Sequence, residues 1–318
     1  MSEKDIEGLQ RQARLLDRIA MAISAASFVA MVGLLLRIVW ETRASVSASN
    51  LLSLAAAVIF LPLLLAVGLY VLLYILIVRG AYERFNLAFK KTYVLGTIRD
   101  MGGFENLRYA PGKGFSYDEV WDSCVVATGD PKYYESEDLL VGTYQGMPFA
   151  YCDVVTKHLR RRGKKVREEI IFYGQIMRFT LPEGAKWSFG HLQIFEKNLL
   201  SNLKGRTAPH KIQVEHEAFN RRFQVFAADE HNAFYLLTPQ MLEQIVQFAD
   251  AADCQIAMTF VGTSLYVAVN NQHSIFDASI KKPFAEQRQD IRTEAELMRR
   301  AGELLVFETD ILSQLDQG

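Results

Sequence analysis

IAMAISAASFVAMVGLLLRIVW, residues 19–40, and LLSLAAAVIFLPLLLAVGLYVLLYILIV, residues 51–78, are the two stretches that decide how this chain folds. Ile19 to Leu36 carries no charge, and the second stretch runs for 28 residues without one. A helix rises about 1.5 Å per residue, so about 20 apolar residues cross a ~30 Å hydrocarbon core. Both stretches are long enough, the second with tilt. Arg37 stands within a turn of the end of the first and can snorkel, and Trp40 suits the interface. Pro62 bends the second helix, which a span tolerates. Runs this long without charge read as spans rather than as a buried hairpin in a soluble core.

Between them lies ETRASVSASN, residues 41–50, short and polar. Spans joined so tightly run antiparallel, which puts both chain ends on one side. Lys4, Arg11, Arg14 and Arg18 precede the first span, and Arg79, Arg84, Lys90 and Lys91 follow the second. The linker has only Arg43. The bias of Lys and Arg toward the cytoplasmic side then places both termini in the cytoplasm, as in a bacterial inner-membrane protein. Val46-Ser47-Ala48 resembles a signal-peptidase site. Mixed charges before the apolar run, the intervening Arg37, Glu41 and Arg43, and the second span argue against cleavage.

Outward from the spans, the pattern changes. Residues 79–106 read as a helical connector that ends at Met101-Gly102-Gly103, and LRYAPGKGFS, residues 107–116, reads as turns. A short helix over 117–126 follows. From Leu139 the hydrophobic period becomes two, with strands around a Gln145-Gly146 turn, then over 168–180, 191–195, 212–216 and 222–227. Residues 238–249 form a helix capped by Thr238 with Pro239 at its first position. A hairpin around Gly262 and a long helix over 284–315 close the chain. The expected fold is α+β: a two-helix transmembrane hairpin followed by a soluble antiparallel β-rich domain with flanking helices. Its parts are an N-terminal segment (1–18), a span (19–40), an external loop (41–50), a span (51–78), the connector (79–106), the cytoplasmic domain (107–283) and a C-terminal helix (284–318) packed on it.

Composition sets limits on function. A net charge of −1 carries no global nucleic-acid signature, and no nucleic acid is expected as partner. Cys124, Cys152 and Cys254 are odd in number and far apart, which argues for reduced thiols rather than a disulfide framework. His216-Glu217-Ala218-Phe219-Asn220 lacks the second His of the zinc-protease motif, and His216 reads as an exposed or cross-strand residue. Pro111-Gly112-Lys113-Gly114 lacks phosphate-loop spacing. No catalytic, cofactor or metal residues are assigned, and no cofactor is expected.

One charge feature stands out. KHLRRRGKKVR, residues 157–167, holds Lys157, Arg160, Arg161, Arg162, Lys164, Lys165 and Arg167 between two expected strands, with Gly163 as the turn. Such a tip is either a solvated hairpin end whose charges discourage aggregation or a contact for anionic lipid head groups. It lacks the interleaved aromatics that stack single-stranded bases. Asp130, Glu135, Glu137 and Asp138 form an acidic cluster read as a solvated loop before a strand. In the last helix Ile291, Met298, Leu305 and Leu312 recur every seven residues, but the companion column of Glu294, Ala301, Glu308 and Leu315 is half polar. A helix laid on the domain's own sheet is the simpler reading, with homo-oligomerisation through a coiled coil as the alternative.

The blocks YYESEDLLVGTYQGMPFAYCDV (133–154), IIFYGQIMRF (170–179) and FNRRFQVFAADEHNAFYLLTPQML (219–242) resemble a bacterial membrane-anchored family catalogued as domain of unknown function 3137. Glu137, Asp138, Leu139, Gly142, Tyr144 and Gly146 match one pattern, and Phe223, Val225, Asp229 and Tyr235 to Pro239 another. Tyr173-Gly174 departs from the family's frequent aromatic-Lys-Gly step. The resemblance covers roughly residues 107–276. It implies an N-terminal transmembrane hairpin with a cytoplasmic body, and it carries no activity across.

The expectation is a non-enzymatic, membrane-tethered module, a scaffold, sensor or assembly factor that binds an as yet unidentified protein partner at the membrane. The alternatives are a membrane-associated enzyme whose site the sequence does not display and a domain that contacts anionic lipid through the basic tip.

Overall fold

The computed structural model describes residues 2–42, 48–162, 165–183, 188–197, 208 and 210–315. The chain divides into two compact units, Met1–Tyr93 with Ala278–Gln287, and Val94–Asp277 with Arg288–Gly318.

The first unit is built on α1 (Glu3–Thr42) and α2 (Ala48–Leu73). Two helices are long and apolar enough to cross a membrane, one within Glu3–Thr42 and one within Ala56–Asp100. Residues 3–18 are helical and continuous with the first apolar stretch. Ile6, Gln10, Ala13, Asp17, Ala20 and Ser24 are buried along one face of α1, spaced alternately by four and three. Ala13, Ala20 and Ser24 are small enough to let a second helix approach closely. The Tyr70 hydroxyl donates to the Asp17 carboxylate at 2.8 Å. Much of the remaining described apolar surface faces outward: Val29, Leu34, Phe60, Leu64 and Leu76 are all exposed.

From Tyr74 the helical run continues through a π turn (Tyr74–Val78), α3 (Arg79–Ala88), a second π turn (Phe89–Val94) and α4 (Leu95–Asp100). The segment Ala278–Gln287 is clamped within this unit. Gln10 donates to the carbonyls of Ser279 (2.9 Å) and Lys282 (2.8 Å), and Arg14 to that of Ile280 (2.7 Å). Asn86 accepts from the Ala278 N–H at 2.9 Å, and the Phe284 ring packs edge-on against Phe89 and Tyr93. Carbonyls of an irregular segment need such donors once water is excluded.

The second unit is a nine-stranded antiparallel sheet in the order β1-β2-β3-β4-β9-β8-β5-β7-β6. Its strands are β1 (Phe104–Ala110), β2 (Glu135–Tyr144), β3 (Met147–Arg162), β4 (Lys165–Thr180), β5 (His191–Glu196), β6 (His210–Ile212), β7 (Phe223–Ala227), β8 (Gln255–Val261) and β9 (Ser264–Asn270). Gln145 and Gly146 both have positive φ, 47° and 81°, the two-residue turn that suits the twist of a hairpin. At Gly174, a Cβ would stand 2.0 Å from the Val269 carbonyl oxygen, so only glycine lets β9 close on β4.

Both faces of the sheet are covered. On one, Val120 of α5 (Tyr117–Ser123) and Phe115 pack with Ala150, Cys152, Val154, Phe172 and Ile176. On the other lies α9 (Phe284–Leu315), where Gly302 lets the Tyr144 and Phe179 rings approach. Ile291, Glu294, Ala295, Met298, Ala301 and Leu305 of α9 are buried, so the helix lies on its own sheet. Its side chains from 307 onward lie outside the described residues.

Four local expectations change, the first being the strand read over 212–216, which is His210–Ile212 and ends before Gln213. Residues 107–110 end the edge strand β1 rather than forming turns, because Arg108 to Ala110 pair with Leu139 to Val141 of β2. Residues 217–222 form a short helix, α6 (Glu217–Arg222), and 230–236 another, α7 (Glu230–Leu236), each capped by the side chain before it. The helix read over 238–249 is α8 (Pro239–Ala252), with Thr238 accepting from the Met241 N–H at 3.2 Å as expected.

Candidate functional site

β3 and β4 pair over their whole length, from Phe149↔Phe179 to Arg162↔Lys165. Their outer neighbours stop early. β2 reaches only Val155 of β3, and β9 only Gln175 of β4. From Lys157 to Ile170 the pair therefore runs on as a two-stranded ribbon of about 20 Å, at about 3.4 Å per residue. A bulge at Ile171, where the register shifts between Thr156 and Lys157, marks its base. The base is held from one side: Thr156 donates to the Ala127 carbonyl at 2.8 Å, and the Asp130 N–H to that of Lys157 at 3.0 Å. Gly129 is required there, since a Cβ would lie 2.2 Å from the Lys157 carbonyl oxygen.

The register sorts the ribbon into two faces. His158, Arg160 and Arg162 oppose Glu169, Arg167 and Lys165 on one; Lys157, Leu159 and Arg161 oppose Ile170, Glu168 and Val166 on the other. Leu159, Val166 and Ile170 are 42%, 50% and 51% exposed, a set of aliphatics left in water on a single face. Lys157 pairs with Glu135 at 2.7 Å and Arg160 with Glu169 at 3.2 Å. Among the described residues, Arg161 and Arg167 have no carboxylate partner. Lys164 lies outside the described residues, and of Arg162 and Lys165 only the backbone is described. The structure thus brings the described part of the sequence-read basic run together on one projecting element.

The buried half of the same strand pair holds a polar cluster that the sequence did not announce. Asp153 of β3 accepts from Gln175 of β4 (3.1 Å) and from the Ser274 hydroxyl. Gln175 also donates to the His273 carbonyl (2.8 Å), and the Tyr173 hydroxyl accepts from the Ser274 N–H (3.1 Å). Together these pin the segment after β9 to the sheet. Glu294 of α9 is buried beside them. Burial, and then the Asp153 charge, push its carboxyl up to about 8, against a smaller downward pull from Tyr151. The Tyr151 hydroxyl and one Glu294 oxygen stand near each other without ordinary hydrogen-bond geometry. Glu294 is therefore a neutral acid at pH 7, which removes most of the cost of burying it.

The acidic cluster read as a solvated loop divides instead among three roles. Asp130 caps a 3₁₀ turn, and Glu135 answers Lys157. Asp138 is fully buried within β2, at φ 61°, and takes the Tyr109 hydroxyl. A bulge between Glu137 and Leu140 turns it inward, a detail that alternation alone does not reveal. His216 is the cap of α6, its Nδ1 accepting from the Phe219 N–H at 3.1 Å, rather than a cross-strand residue. Cys152 is buried, and desolvation pushes its thiol up to about 12, so it sits as an inert core residue. No group of three His, Cys, Asp or Glu that could hold a metal ion occurs among the described residues. An open cleft of about 280 Å³ between α8 and α9 is lined by Gln244, Phe248, Arg299 and Arg300. Its cations are occupied, Arg299 by Glu296 and Glu303 and Arg300 by Glu296.

Elsewhere on the body, Phe234 and Tyr235 of α7 are 55% and 50% exposed, with His231 edge-on to Tyr235. Two adjacent aromatics in water on one short helix are unusual for a closed domain.

A protein-family model described as Protein of unknown function (DUF3137) matches residues 170–316. The resemblance read from the sequence is thus shown over that stretch, which contains two of the three blocks that suggested it; the block 133–154 lies before it. No curated protein matches the chain, and no solved structure does.

Proposed function

Taking residues 170–316 as a stretch of that family of unknown function, we propose that the chain is a membrane-tethered binding module, a scaffold, sensor or assembly factor that holds a protein partner at the bilayer. In this reading α1 and α2 are the spans, and their outward apolar surface is covered by lipid. The Lys and Arg flanking them, set against Arg43 alone in the linker, support both termini on the cytoplasmic side of a bacterial inner membrane. The body works there as a platform rather than as an enzyme.

The observation that carries the binding role is the exposed aromatic pair Phe234 and Tyr235 on α7, within the family-matched stretch. Exposed aromatics of this kind anchor protein interfaces, because they bury large area with few rotamers to freeze. The test is an in-cell crosslinking pull-down of the full-length chain beside its Phe234→Ala/Tyr235→Ala variant. A specific protein enriched by the first and lost from the second supports the reading. Identical profiles, each free of a specific protein, remove it. A second reading, contact with anionic lipid, is favoured by the β3–β4 ribbon.

A further inference from the structure

The ribbon of residues 157–170 carries seven Lys or Arg against Glu168 and Glu169, a net charge of +5 in a chain whose total is −1. The rest of the chain is therefore net acidic, and this local excess of positive charge lies on one element beside which no other strand runs among the described residues. On one face of that element Leu159, Val166 and Ile170 are left in water with Lys157, Arg161 and Glu168, while Arg160 and Arg167 stand on the opposite face. A purely solvated hairpin end has no need of three exposed aliphatics on one side. An element meant for the body's core would not carry this charge.

We propose that the Leu159–Val166–Ile170 face of this ribbon is a docking surface for an anionic bilayer, with the aliphatics seated at the boundary between head groups and acyl chains and Lys157 and Arg161 among head-group phosphates. This rests on the membrane-tethered reading. The chemistry of the two parts is complementary to the two layers of a leaflet: aliphatic side chains to the boundary region, Lys and Arg to anionic head groups. Each cation near an anionic surface is worth about a fivefold gain in occupancy. A tether keeps the local concentration of bilayer high, so a contact too weak to recruit a free protein is still populated. No aromatic side chain lies between residues 157 and 170 to stack a base, which sets nucleic acid aside. The ion pair at Lys157 involves an exposed carboxylate, which solvent screens, so this cation can exchange partners with phosphate at little cost.

The test uses the full-length chain in lipid nanodiscs, which expose both leaflets and so remove any question of orientation. An environment-sensitive fluorophore is placed by Val166→Cys in a Cys254→Ser background; Cys124 and Cys152 are buried. Discs of phosphatidylcholine are compared with discs that also contain phosphatidylglycerol. The expected result is a blue-shifted label, shielded from an aqueous quencher, in the anionic discs alone. The shielding falls with added salt, and its dependence on anionic lipid weakens by roughly 25-fold in Lys157→Gln/Arg161→Gln. A label that stays in water in both discs overturns the proposal, as does one shielded only when an acidic protein is added. Equal shielding in both discs overturns the charge-driven docking. A chain that is not retained in discs at all fails the tethered reading instead, so the two failures are told apart.

Discussion

The two halves of the β3–β4 pair share one ladder and differ sharply in burial. From Phe149 to Thr156, against Phe172 to Phe179, both sheet faces are covered, and even the polar members Asp153 and Gln175 are fully enclosed and hydrogen-bonded. From Lys157 to Ile170 the same two strands, with the same register rule, have no strand on either side among the described residues and expose most of the described side chains. The backbone pairing alone is thus indifferent to burial. What changes is the supply of partners: β2 and β9 end, a bulge at Ile171 resets the register, and loop 127–130 closes over the boundary. The lower half is held by packing and can tolerate little. The upper half is held by its own ladder and is available for contact.

The sharpest way to break this comparison is at Gly174. Gly174→Val drives a side chain into the Val269 carbonyl and is expected to cost more than about 3 kcal/mol, enough to lose the folded body. The matching change on the ribbon, Val166→Thr, is expected to stay within about 0.5 kcal/mol. Thermal unfolding of the full-length chain in detergent reads both.

Next in size is the neutral acid of α9. The folded carboxyl of Glu294 titrates near 8 against 4.5 for an unperturbed group. A raised folded value means the native state holds its proton after the unfolded chain has lost its own. The stability from this group is fully present below 4.5 and declines as pH rises through about 8. Glu294→Gln is expected to remove that slope and to stabilise the chain by several kcal/mol at pH 8 relative to wild type. Asp153→Asn sharpens the point. It removes the nearby charge and is expected to shift the Glu294 slope to lower pH, whereas an unmoved slope would show burial alone to be responsible. Melting temperatures across pH for the three proteins decide this.

The smallest effect belongs to the ribbon's ion pairs. Glu169→Gln removes the carboxylate that faces Arg160 and His158, and is expected to change stability by less than about 0.5 kcal/mol. Under the proposed docking it makes the ribbon more positive and so strengthens attachment to anionic discs, the opposite direction from Lys157→Gln/Arg161→Gln.

These contrasts also show what a sequence discloses. The long apolar stretches, the Gln145-Gly146 and Gly262 turns, the Thr238-Pro239 helix start and the long final helix were legible, because period, capping and turn chemistry are local signals. The basic run was legible as charge, but its separation from the sheet was not, since that depends on where β2 and β9 stop. Asp138 was read with its acidic neighbours as solvated, and a bulge brings it inside; Glu294 counted only as a polar position on the last helix, and the covering sheet buries it. The short helices α6 and α7 were hidden by their length; their caps, His216 and Asp229, were the available clue.

The most direct measurement is residue-resolved hydrogen exchange along β3 and β4 of the full-length chain in neutral and in anionic nanodiscs. The account predicts amides from Phe149 to Thr156 strongly protected in both, and amides of the Lys157–Arg161 and Val166–Ile170 stretches less protected in neutral discs and clearly slowed in anionic ones. Uniform protection along both strands irrespective of lipid, or a ribbon that exchanges equally fast in both discs, would contradict it.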